Sequence, residues 1–142
     1  MSKVKFVATL AFCAFLTPAF AQSLAEREKY ATYDKELAKN AEDMVKECKV
    51  AIPVKLDWST VKDIKEYNPA GYCDNAFWAV KEICRGSEEG LKAVQSKIKS
   101  VTCKQSSPHI LSLENGELVY GIDFKNDTNI GQMVLKYLKD NL

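Results

Sequence analysis

The stretch Ile110-Leu111-Ser112-Leu113-Glu114-Asn115-Gly116-Glu117-Leu118-Val119-Tyr120-Gly121-Ile122 is the clearest local signal in the chain. Two alternating runs flank Asn115-Gly116, the pair that tolerates the positive φ of a type I′ turn, so a two-residue β-hairpin is expected. Its register would oppose Leu113 to Leu118, Leu111 to Tyr120 and His109 to Ile122 on one apolar face. Ser112, Glu114, Glu117, Val119 and Asp123 then fall on the wetter face.

Working outward, a strand over about residues 101 to 105 precedes the hairpin, and Asp127 or Thr128 caps a last helix striped by Ile130, Met133, Val134, Tyr137 and Leu138. Ser87 caps another helix, with Leu91, Val94 and Ile98 as its stripe. Asn68-Pro69 opens a helix that runs to Arg85, where Gly86 stops it. A short helix from Ser59 to Tyr67 comes before it. Val50, Ile52, Val54, Leu56 and Trp58 alternate with polar residues or Pro53, which reads as a strand at an edge or bulge, with Trp58 in the core. Ser23 and Glu26 form a capping box for a long helix over about residues 24 to 49, whose apolar positions run Leu37, Ala41, Met44, Val45 and Cys48. The order α-β-α-α-α-β-β-β-α predicts an α+β fold: a small antiparallel sheet, one strand and then a three-strand meander, packed against helices.

Ahead of this domain, Lys3 and Lys5, an apolar run from Phe6 to Leu16 and the segment Ala19-Phe20-Ala21 make the three parts of a secretory signal. Cleavage between Ala21 and Gln22 would leave residues 22 to 142 as one domain in the periplasm or outside the cell, and would discard Cys13. The apolar run is too short for a membrane span. A lipoprotein signal at Cys13 is disfavoured because Phe12 is bulky where a small residue is needed. The full chain has 20 Lys+Arg and 19 Asp+Glu; loss of Lys3 and Lys5 leaves 18 against 19, a net charge of −1. That balance gives no reason to expect a nucleic-acid partner.

Cys48, Cys73, Cys84 and Cys103 remain, an even number that reads as two disulfides in an oxidising compartment. Cys73 and Cys84 are eleven residues apart on one helix, about 16 Å, too far for a bridge. Cys48 with Cys73 and Cys84 with Cys103 is the pairing with the shorter loops; Cys48 with Cys84 and Cys73 with Cys103 is the alternative. The spacings lack a C-x2-C pair, which argues against both a zinc site and a redox motif.

No catalytic, metal or nucleotide motif stands out, and no cofactor is called for. His109 with Ser112, Glu114 or Asp123 is the one group of residues from which a hydrolase could be assembled, but His109 and the others alternate to opposite faces. Asp123, Asn126, Asp127 and Asn129 lack the order of a calcium loop. Trp78 is the feature that asks for a partner. It lies roughly 140° around its helix from Cys73, among Asp74, Lys81 and Arg85, and Trp and Arg anchor many interfaces. The alternative for Trp78 is that the long first helix packs across this side and buries the indole. An exported interaction module that presents this helix, or the wet face of the hairpin, to a protein or envelope component is therefore expected. A small hydrolase or enzyme-inhibitor domain is one alternative, and a binder of a small apolar ligand lined by Tyr120, Tyr137, Phe124 and Trp58 is another.

Overall fold

The computed structural model describes residues 23–62, 64–125 and 130–142. The expected signal segment and the expected caps Asp127 and Thr128 lie outside them. The elements follow the expected order: α1 (Leu24–Cys48), β1 (Val54–Leu56), a short 3-10 turn (Trp58–Thr60), α2 (Pro69–Gly86), α3 (Glu88–Lys97), β2 (Ser100–Gln105), β3 (Ile110–Glu114), β4 (Glu117–Ile122) and α4 (Gly131–Asn141).

The N-termini of α1, α2 and α3 are capped as the sequence reads, whereas α4 starts at Gly131 behind Ile130 with no side-chain cap, so the expected capping by Asp127 or Thr128 gives way. Ser23 and Glu26 form the reciprocal capping box of α1, Asn68 accepts from Gly71 with Pro69 in the first turn of α2, and Ser87 accepts from Gly90 at α3. These contacts satisfy backbone N–H groups that have no partner inside the helix. Lys49, in the left-handed region at φ 53, ends α1, and the Gln95 side chain donates to the Cys48 carbonyl at 3.0 Å.

The expected second helix contracts to three residues, because Asp57 takes the capping role and accepts from the Ser59 N–H. The first strand also contracts, to Val54–Leu56. Pro53 has no N–H to extend the ladder; its carbonyl accepts from Val101 instead. Trp58 does not enter the core. It is half-buried against α1, with its ring 4.4 Å from that of Tyr30 and its indole N–H donating to Asp34 at 3.0 Å.

The Asn115-Gly116 hairpin forms in the expected register, with Leu111 opposite Tyr120 and Leu113 opposite Leu118. Both turn residues have positive φ, 52° and 86°. The sheet, however, is mixed rather than an antiparallel meander. Its order is β1-β2-β4-β3, with β1 and β2 parallel, β2 and β4 parallel, and only β3 and β4 antiparallel. Burial is the reason. In β4 the residues Leu118, Tyr120, Gly121 and Ile122 are all buried, whereas every residue of β3 is half-buried or exposed. The wetter strand takes the edge and the drier one the interior.

To reach that edge the chain from β2 must cross the end of β4, and it does so over Gly121. A Cβ there would stand 3.0 Å from the Ser106 Cβ and 3.3 Å from the Ile110 Cβ, and the Ser106 N–H donates to the Ile122 carbonyl at 2.8 Å. The glycine thus marks a close approach of backbone to backbone.

The disulfides are Cys48–Cys84 and Cys73–Cys103, with Cα atoms 5.2 Å and 6.0 Å apart. The pairing favoured by loop length is therefore replaced by the alternative. Helix alignment decides it: α1 and α2 run parallel, with Glu36 beside Asn68 and Glu47 beside Arg85, so the two C-terminal cysteines meet. Cys73, one turn into α2, faces β2. The longer loops of 36 and 30 residues add little, since even doubling a loop costs only about 0.6 kcal/mol.

Replacing Gly121 by valine should push the crossing away from β4 and cost about 1–3 kcal/mol, read as a lower urea midpoint. Peptide mapping of non-reduced protein should recover Cys48 linked to Cys84 and Cys73 linked to Cys103.

Candidate functional site

Parallel packing of α1 and α2 leaves a groove between their exposed sides, of ≈ 420 Å³. Its floor is buried Met44 and Phe77, and its walls carry Lys39, Glu42 and Asp43 from α1 and Asp74, Trp78 and Lys81 from α2. Three of the four residues singled out on this helix, Asp74, Trp78 and Lys81, therefore share one concave surface. At i, i+4 and i+7 they occupy one stripe of α2.

Arg85, the fourth, is not part of the lining. Its guanidinium donates to Glu47 of α1 at 2.8 Å and lies 3.7 Å from Glu82. The hydrogen bond from Arg85 holds the Glu47 carboxyl below its ordinary range. One more turn along α2, Arg85 instead joins the ends of the two helices, beside the Cys48–Cys84 bridge.

Trp78 is half-buried, because α1 does not close over it and α4 packs on its far side. The contact with α4 is through Gly131: a Cβ at that position would lie 3.0 Å from Trp78 Cε3 and 3.1 Å from Asn75 Oδ1. The indole is thus braced from behind while its front faces the groove. The composition of the groove was legible on α2, but the α1 wall of Lys39, Glu42 and Asp43 was not. Those residues read as the solvated side of an amphipathic helix, and only the parallel alignment turns them toward Asp74.

Partial desolvation in the groove raises the Asp74 carboxyl above its ordinary range. A hydrogen bond with Asn40 opposes the rise, the nearby Glu36 charge adds to it, and Lys81 opposes it. Asp74 nonetheless stays exposed to water, where an incoming cation can reach it.

The other candidates are dispersed. His109 is exposed ahead of β3, and Ser112 and Glu114 lie opposite Val119 and Glu117 in the β3–β4 ladder. On the sheet face away from the helices, Glu117 accepts from the Thr102 hydroxyl and pairs with Lys55 at 3.2 Å; the Thr102 hydrogen bond first and Lys55 second hold its carboxyl below the ordinary range. Of the aromatics considered as a ligand lining, Tyr120 and Phe124 are buried in the core, and Trp58 sits against Tyr30 and Tyr33 of α1. They do not line one cavity. Among the described residues no group of three or more His, Cys, Asp or Glu side chains is arranged to hold a metal ion, and no helix is long and apolar enough to cross a membrane. In comparisons with known proteins, no family model, no curated protein and no solved structure matches this chain.

The sign of the Asp74 effect on stability follows from linkage. Its folded-state pKa lies above the reference 3.8, so the fold binds that proton more tightly than the unfolded chain does. Stability is then lost as pH rises from 3.8 through the folded-state value. Asp74→Asn should escape this loss and gain on the parent over that window, as measured by urea unfolding at a series of pH values.

Proposed function

We propose that this protein is an exported, non-catalytic interaction module, and that the α1/α2 groove receives a segment of another protein carrying a lysine or arginine side chain. The observation that carries this reading is the meeting of Asp74 and Trp78 in one groove with an apolar floor. A long cationic side chain suits each part of that surface. Its stem lies on Met44 and Phe77, its head reaches the exposed Asp74 carboxylate, and the indole adds a cation–π contact of about 0.5–2 kcal/mol. Glu42 and Asp43 on the opposite wall reinforce the attraction against Lys39 and Lys81.

Rigidity supports the same reading. The groove is framed by the Cys48–Cys84 bridge and the Glu47–Arg85 pair at one end, and by the Asn68–Glu36 hydrogen bond of 2.7 Å at the other. A preformed surface loses less freedom when a partner binds. Two disulfides joining separate elements suit an oxidising compartment, in keeping with the export signal read from the N-terminal residues.

Selection of peptides from a random library on the oxidised protein tests the proposal. Enrichment of sequences with a central Lys or Arg is expected, with binding at least about ten-fold weaker for Asp74→Lys and for Trp78→Ala, a truncation on the scale of an interface anchor. Affinity should also fall as pH is lowered through the raised pKa of Asp74, because protonation removes the charge the cation seeks. Enriched peptides without a cation, or ones that bind Asp74→Lys as well as the parent, would refute it.

A further inference from the structure

We propose that β3 is the strand through which two copies of this chain pair, edge to edge and antiparallel, into one continuous sheet. The sheet order leaves β1 and β3 at its edges, and the two are treated differently. β1 has the features that discourage pairing: it is three residues long, Pro53 precedes it and Lys55 sits at its centre. β3 has five residues, no proline, no lysine and no bulge, and it stays in register with β4 along its whole length. Among the described residues no strand pairs with its outer side.

The backbone groups on that outer side follow from the turn. In a two-residue hairpin the pair flanking the turn, Glu114 and Glu117, exchanges both hydrogen bonds. Alternation then makes Ile110, Ser112 and Glu114 the residues bonded to β4, and turns the N–H and C=O groups of Leu111 and Leu113 outward.

A two-fold axis at Ser112 uses these groups completely. It opposes Leu111 of one copy to Leu113 of the other, and Leu113 to Leu111, so that the outward groups of each strand find the same groups of its twin. Such a contact is self-complementary, as two-fold interfaces require. The half-buried side chains of Leu111 and Leu113 then extend the helix-covered core across the junction. Ile110, 37% exposed, comes to lie opposite Glu114 of the second copy, and the two Glu114 carboxylates are held at opposite ends of the paired strands. A five-residue strand covers less than the roughly 1,600 Å² of a standard interface, so the dimer is concentration-dependent.

The test is sedimentation equilibrium of the oxidised protein from about 5 μM to 1 mM, together with amide exchange at Leu111 and Leu113. A monomer–dimer transition is expected, with protection of those two amides rising with concentration. Ser112→Lys places two like charges at the axis and should weaken the dimer at least ten-fold, while Ala31→Lys on the exposed side of α1 leaves it unchanged. Should Ser112→Lys fail to fold, as judged by circular dichroism, the concentration dependence of amide protection decides alone. A monomer throughout, a dimer unaffected by Ser112→Lys in a folded variant, or protection gained only when another polypeptide is added would each overturn the proposal.

Discussion

Everything in this molecule is built around α2, which is covalently held at two levels. Cys73 joins its first turns to the central strand of the sheet, and Cys84 joins its last turn to the end of α1. A helix fixed at both ends in this way cannot rotate about its own axis. Its buried side, with Ala76, Phe77, Ala79, Val80 and Ile83, must face the core, and the stripe of Asp74, Trp78 and Lys81 is held along a fixed line at the groove. The position of Asp74, Trp78 and Lys81 in one groove is thus a consequence of where the cysteines lie on the same helix. A small domain has a limited core, and cross-links of this kind add about 2–4 kcal/mol each by constraining the unfolded chain.

The second organising constraint is the dryness of β4. It lies between β2 and β3, and its side chains Leu118, Tyr120 and Ile122 are buried together with Val101 and Cys103 of β2. All four helices take part in one hydrophobic core with this side of the sheet, while Lys55, Thr102 and Glu117 join the strands on the other. The Lys55–Glu117 pair there reaches over β2, from β1 to β4, while the Thr102 hydroxyl of β2 donates to the same carboxylate.

What the sequence revealed and what it concealed divide along the range of the interactions. The caps Ser23, Asn68 and Ser87, the helix stop at Gly86 and the Asn115-Gly116 turn depend on residues within four positions of one another, and each could be read directly. The parallel neighbours of β2 depend on which strand is driest once the whole sheet is assembled, and no local pattern states that. Gly121 was the available clue. A glycine inside an alternating strand signals something passing close to the backbone, and here it is the chain between β2 and β3. Trp58 misled for a related reason: it falls in phase with the buried positions of its strand, but the strand ends at Leu56 and the indole finds Asp34 instead. On the groove, the helix carrying Trp78 was legible and its opposite wall was not, because nothing in the α1 sequence specifies that it runs parallel to α2.

The arrangement of β2 between two parallel neighbours bears on how the molecule comes together. Its partner on one side, β1, lies before α2 and α3 in the chain, and its partner on the other, β4, arrives only after the hairpin has turned. Val54 finds Val101 and Val101 finds Leu118, so no ladder of β2 joins strands adjacent in sequence. Such topologies pay the entropy of closing long loops before their contacts can form, and they acquire native structure slowly. The hairpin is the one part of the sheet able to nucleate by itself, and the remaining strands must wait for a chain nearly complete in length.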